Sequence, residues 1–381
     1  MPIRVLLAED SAYQRKVIAE MVSSNEEIEV IDIARNGREA IQKIGDHNPD
    51  VIVLDLIMPE IDGLSVLKFL SEHYPIPTIV FTGLQLEALD NSVQALLLGA
   101  FDFIIKPSGL WEEEFPKFKK KLVSSILYAG KIKKTYEKRN NLIKKSIDFQ
   151  LNSNLAEKKN IFEESVNSIA IKSLKAALPD NKKLKSNVIV IGTSTGGPRT
   201  LKSILRSIPR NFPCPILMVQ HLDAFFMKQF AKSLNEVCDI EIKIPVDGEK
   251  IESGKVYLSP GGNHMKVVLR NNSPSIKIFK GKPVNFCMPS VDVLFSSVAE
   301  IYKQSAMGIL LTGLGDDGAA GLDAIKNSGG KTIVESEETC IVYGMPKAAI
   351  KRGAAKIVLP NYLIGREMID FAQKFTNDIN N

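Results

Sequence analysis

The chain has 381 residues, 44% hydrophobic and 24% charged, with a net charge of +5. That length supports two domains with separate cores, and the composition is that of a soluble globular protein rather than a disordered or fibrous one. No apolar run reaches the roughly 18–20 residues that span a bilayer. A strand pattern opening at Ile3 leaves no room for a signal peptide, so a cytoplasmic address is expected. Cys214, Cys238, Cys287 and Cys340 are scattered without CxxC spacing, which predicts neither a zinc site nor a disulfide framework.

Over residues 1–128 strand and helix patterns alternate in five rounds. The predicted strands are Val5–Ala8, Glu29–Ala34, Val51–Leu54, Thr78–Thr82 and Phe103–Ile105, with a last helix from about Glu112 to Tyr128. Short apolar strands between amphipathic helices predict a doubly wound parallel sheet, with functional residues at the carboxyl ends of the strands. Glu9 and Asp10 follow the first strand, Asp55 the third, Thr82 ends the fourth and Lys106 follows the fifth. Three carboxylates brought to one edge repel one another, and a hard cation such as Mg2+ relieves that. Asp55 is then placed to attack a phosphoryl group, with Lys106 and the cation neutralising charge and Thr82 hydrogen-bonding an oxygen. Asp10 alone also reads as a helix cap.

Residues 129–186 break the rhythm and predict a long, partly helical linker, with one helical pattern from about Ile161 to Leu178. Gly130–Ser186 hold 14 Lys/Arg against 6 Asp/Glu, a local net of +8. The charge fits a solvated tether, and aromatics are too sparse there for a nucleic-acid platform.

A second α/β series fills residues 187–381. Its predicted strands are Val188–Ile191, Ile216–Gln220, Lys255–Leu258, Met307–Leu311, Thr332–Val334 and Lys356–Leu359, with a hairpin over Met265–Phe279. Gly192-Thr193-Ser194-Thr195-Gly196-Gly197 follows the first of these, and Pro198 follows it. The glycines permit a sharp strand-to-helix turn that lifts Ser194 above the strand ends, in the manner of a nucleophile elbow. Glycine-rich turns also bind phosphate, so a base and an acid are needed. His47 and His73 fall in helical regions of the first domain. His221 ends the next strand, while His264 opens the hairpin as a lining or structural residue. Thr312-Gly313-Leu314-Gly315-Asp316-Asp317-Gly318 supplies the acid, and the spacing leaves Asp316 and Asp317 as equal candidates. The order Ser…His…Asp is not that of α/β-hydrolases, chymotrypsin or subtilisin.

Residues 1–128 resemble the flavodoxin-like receiver domain of two-component response regulators, through Ala8-Glu9-Asp10, Leu54-Asp55-Leu56-Ile57-Met58-Pro59 to Gly63, Thr82-Gly83 and Lys106-Pro107. The resemblance implies phosphorylation of Asp55 by a sensor histidine kinase. It places Mg2+ on Asp10, Asp55 and the Ile57 carbonyl, with Glu9 acting through water. Thr82, Phe103 and Lys106 take the switch positions, although Phe103 also reads as a plain core aromatic. Residues 188–360 resemble the catalytic domain of the chemotaxis protein-glutamate methylesterases, the CheB family. The carriers are the Ser194 turn, Gln220-His221, Tyr257-Leu258-Ser259-Pro260-Gly261, Pro289-Ser290-Val291-Asp292, the Thr312–Gly318 turn and Tyr343-Gly344-Met345-Pro346.

The second resemblance implies Ser194 as nucleophile, His221 as base, Asp317 as orienting acid, and backbone N–H groups near Thr195 and Leu314 as oxyanion donors. The expected fold is thus two doubly wound α/β domains, the second mostly parallel with a β-hairpin insertion. The expected function is phosphorylation-regulated hydrolysis of glutamate methyl esters on the cytoplasmic helices of chemoreceptors, with glutamine deamidation beside it. Mg2+ belongs to the receiver, and no cofactor is expected for the ester chemistry. A non-catalytic signalling adaptor and a transcription regulator are the competing classes; no helix-turn-helix pattern supports the latter.

Overall fold

The computed structural model describes residues 1–74, 76–83, 86–106, 115–133 and 187–380. The helical pattern expected over 161–178, most of the proposed linker and Pro107 lie outside the described residues.

The first sheet is five-stranded and parallel in the order β2-β1-β3-β4-β5, built from β1 (Ile3–Ala8), β2 (Ile28–Ala34), β3 (Val51–Asp55), β4 (Thr78–Thr82) and β5 (Asp102–Ile105). Both faces are covered, so β3 and β4 are buried at every position and read as unbroken apolar runs. The helices are α1 (Ala12–Ser23), α2 (Gly37–His47), α3 (Gly63–His73), α4 (Leu86–Leu98) and α5, residues 115–133. Local caps set where they start. The side chains of Ser11, Asn36 and Asp62 accept the backbone N–H groups of Gln14, Glu39 and Ser65, taking donors that a helix leaves orphaned. The last helix, expected to stop near Tyr128, continues to residue 133.

The second sheet has seven parallel strands in the order β14-β13-β12-β6-β7-β9-β8. They are β6 (Val188–Thr193), β7 (Ile216–Gln220), β8 (Glu241–Lys243), β9 (Lys255–Leu258), β12 (Ala306–Leu310), β13 (Lys331–Glu335) and β14 (Ile357–Leu359). The hairpin of β10 (His264–Arg270) and β11 (Ser273–Phe279) stands apart as an antiparallel pair. Edge strand β8 is absent from the sequence reading; three residues are too short to show a period. Its helices are α6 (Gly197–Leu205), α7 (Ala224–Val237), α8 (Val291–Tyr302), α9 (Ala319–Asn327), α10 (Met345–Lys351) and α11 (Asn361–Asn380). β6 lies centrally, between β12 and β7, so three successive carboxyl ends open into one crevice at the place where the strand order reverses.

The described residues of both sheets fall in one compact unit. Helix α4 lies against α6 and α7. Phe103 on β5 meets Phe226 on α7 edge-on, with ring centroids 4.2 Å apart, and both are buried in one continuous apolar cluster.

Candidate active site

Ser194 is placed by its backbone. Its N–H donates to the Thr312 carbonyl on the β12 side at 3.0 Å, and its own carbonyl accepts from Gln220 Nε2 on the β7 side at 2.9 Å. The same Gln220 nitrogen donates to the His221 carbonyl at 3.0 Å, so one buried amide ties both residues together. Two glycines then make the turn. Gly196 has φ +80, a left-handed conformation that side chains resist, and a Cβ there would strike Ile341; at Gly197 it would strike Gln220 and Thr193. Pro198 follows at the start of α6.

His221 follows β7, and its Nε2 donates to Asp317 Oδ2 at 2.8 Å. Of the two aspartates, Asp317 is 2% exposed and bonded to the imidazole, while Asp316 is exposed. The other acceptor sites of Asp317 are filled by Ser290 Oγ (2.7 Å), Val291 N (2.7 Å), Asn285 Nδ2 (3.1 Å) and Asp292 N (3.2 Å). Burial alone raises a carboxyl; here it is outweighed by the bonds from His221, Val291 and Ser290, which hold Asp317 below the usual carboxylate range. Burial likewise works against the imidazolium, but the bonds to Asp317 and Cys287 prevail and lift His221 to about 9.

His221 Nδ1 faces Cys287 Sγ at 3.7 Å, and among the described residues Ser194 and His221 share no side-chain hydrogen bond. Such bonds often tighten only with substrate in place. Cys287 and Asn285 sit on a two-residue turn closed by paired backbone bonds between Val284 and Cys287 at 2.9 and 3.0 Å. Asn285 and Phe286 have φ 51 and φ 62 at its centre, as a type I′ turn demands. His264 is buried and structural: Nε2 bonds the Lys282 carbonyl and Nδ1 accepts the Ser290 N–H, steadying a donor of Asp317. On the far side, Gly313 N–H goes to the Val342 carbonyl, while Leu314, the next residue of that turn, is half exposed. Thr195 supports the same turn through its carbonyl, which accepts the Thr312 hydroxyl at 2.9 Å.

The second constellation lies on the first sheet. Lys106 Nζ donates to Asp55 Oδ2 at 2.7 Å and to Glu9 Oε2 at 3.0 Å. Glu9, Asp10 and Asp55 offer carboxylate oxygens within 4.8 Å of one another, with Asp10 the exposed member. Burial pushes Glu9 up to about 7 and Asp55 upward, against the pull of Lys106. Ile57 is half exposed beside them and donates its N–H to Asp55 Oδ1 at 3.2 Å. Among the described residues, the buried Thr82 hydroxyl has no hydrogen-bond partner. Carboxylates short of positive charge beside an unsatisfied hydroxyl suit a hard cation and a phosphoryl oxygen. The structure thus brings Glu9, Asp10, Asp55, Ile57, Thr82 and Lys106 to one edge, whereas Phe103 packs on Phe226.

Fold and sites together define a response-regulator receiver joined to a hydrolase. The CheB methylesterase family model matches residues 189–368, and that of the response regulator receiver domain residues 5–112. The chain is 38% identical over 382 residues to the protein-glutamate methylesterase/protein-glutamine glutaminase of Archaeoglobus fulgidus, covering 99% of this chain and all of that protein. It is 37% identical over 352 residues to the protein of the same name from Halalkalibacterium halodurans, covering 92% of each. The chain belongs to this family of carboxylic ester hydrolases. Among the described residues, no helix is long and apolar enough to cross a membrane.

Proposed function

We propose that the chain hydrolyses γ-glutamyl methyl esters on chemoreceptor cytoplasmic domains, and deamidates glutamines there, under control of Asp55 phosphorylation. The observation that carries the chemistry is the His221–Asp317 bond of 2.8 Å beside the strand end bearing Ser194. Nε2 is committed to Asp317, so Nδ1 is the nitrogen that serves Ser194. Ser194 Oγ attacks the ester carbonyl as Nδ1 takes its proton, and the Leu314 and Thr195 N–H groups meet the developing oxyanion. Collapse breaks the bond to methoxide, which leaves as methanol with the proton from His221. Water, activated by the same nitrogen, then releases the glutamate and frees Ser194. With a glutamine substrate the leaving group is ammonia.

For the control, Asp10, Asp55 and the Ile57 carbonyl would hold Mg2+, with Glu9 nearby, and the ion would supply charge neutralisation for phosphoryl transfer from a histidine kinase. Lys106 and Thr82 meet the phosphoryl oxygens, and the orphaned Thr82 hydroxyl supports that role. Gating is supported by the contacts of α4 and Phe103 with α6 and α7. Helix α6 starts three residues after Ser194 and α7 three after His221, so a shift of these helices would carry to both residues. We take residues 1–128 as the receiver, 129–186 as the linker and 187–381 as the catalytic domain. The test is methanol release from methylated receptor membranes. Ser194→Ala should lower kcat by roughly 10^4-fold or more; full activity in that variant would end the assignment.

A further inference from the structure

Cys287 has no task in the hydrolysis, yet its Sγ lies 3.7 Å from His221 Nδ1. Both side chains are only partly buried, so solvent reaches them. A tetrahedral zinc ion, with bonds of about 2.3 Å to sulfur and 2.0–2.1 Å to nitrogen, holds two such ligands about 3.6 Å apart. The pair already stands at that spacing. The far nitrogen of the ring is fixed as well, since Nε2 donates to Asp317. A carboxylate behind the imidazole is the usual support of a metal-bound histidine: it sets the tautomer and strengthens the ligand. Asp317 offers an oxygen within 4.8 Å of the other two ligand atoms, but its acceptor sites are taken by Ser290, Val291, Asn285 and Asp292. It therefore braces the histidine and does not bind the ion.

We propose that Cys287 and His221 form a binding site for a thiolate-seeking divalent cation, Zn2+ above all, and that occupancy shuts off ester hydrolysis by taking the nitrogen Ser194 needs. A sulfur–nitrogen pair selects Zn2+ over Mg2+, which keeps to the oxygen ligands near Asp55. Solvent fills the remaining coordination positions. As the metal–sulfur bond forms, the thiol proton passes to solvent, and nothing is oxidised or reduced. The binding stands on geometry alone; the inhibition rests on the proposed role of His221 as base.

The test titrates the full chain with Co2+ in saturating Mg2+, reading the thiolate-to-cobalt charge-transfer band in the near ultraviolet. Wild type should show a band that Zn2+ abolishes, and Cys287→Ser and Cys287→Ala should lack it while keeping the wild-type circular dichroism spectrum. Zn2+ should inhibit methanol release, with half-inhibition shifted at least roughly 100-fold upward in Cys287→Ala. A missing wild-type band, or one unchanged in both variants, overturns the site. A Cys287-dependent band with undiminished methanol release overturns the inhibition. Wild type releasing no methanol before Zn2+ is added counts against the esterase reading, and the spectra still decide the site.

Discussion

Asp55 and Asp317 are equally hidden, 3% and 2% exposed, yet burial wins at one and loses at the other. Asp55 receives Lys106 and one backbone N–H, and it has Glu9 and Asp10 as neighbours. Asp317 receives four donors from residues 285–292 besides His221. Depth alone therefore does not set the direction in which a buried carboxylate shifts; its donors and the charges beside it do. A site left short of positive charge is fitted to acquire a cation and a phosphoryl group. A site already satisfied is fitted to hold an imidazole still.

The sharpest way to break this contrast is Asp317→Asn. It preserves shape but changes the hydrogen bond to His221, and methanol release should fall on the order of 10^4-fold. A loss of only a few-fold would mean that His221 needs no carboxylate.

Next in size is the pH response. The proposed base, His221, would have to be neutral to act, so kcat/KM should climb about tenfold per pH unit and level off above about 9. Stability runs the other way. A group raised in the folded state contributes fully below its unfolded value of about 6.5, and that contribution is lost as pH rises through about 9. Melting temperatures of wild type and His221→Gln should therefore converge between pH 6 and pH 10. A flat rate profile from pH 6 to 9 would contradict the assignment.

Ser290→Ala removes one donor to Asp317 and should cost roughly tenfold in kcat, in line with a hydrogen bond to a charged group. The smallest effect is expected at Phe103→Leu. It keeps the core filled but loses a ring pair worth about 0.5–1.5 kcal/mol. The unphosphorylated rate should rise roughly threefold to tenfold, whereas an unchanged rate would detach this contact from gating.

The strands and the strand-end residues were legible in the sequence because a buried parallel strand needs a continuous apolar run. Thr78–Thr82, Ile216–Gln220 and Lys255–Leu258 match residue for residue. The environment of Asp317 was not legible. Its donors come from a segment 25–32 residues upstream, placed by the hairpin and by the left-handed turn at Asn285 and Phe286. Pro289-Ser290-Val291-Asp292 carried the family resemblance, but spacing alone assigns it no task. Likewise, zinc is predicted absent from cysteine spacing, yet folding brings Cys287 to His221 across 66 positions. Phe103 reads equally as a switch-position aromatic and a core aromatic; it is buried in the core, and its neighbour Phe226 was beyond the reach of spacing.

Coupling between the two carboxylate sites is the most direct test of the proposed regulation. Methanol release from methylated receptor membranes should be measured with and without a small phosphodonor, for wild type and Asp55→Ala. Stimulation is expected in wild type and none in Asp55→Ala, with both rates lowered roughly 10^4-fold or more by Ser194→Ala. Equal stimulation of wild type and Asp55→Ala would contradict that regulation.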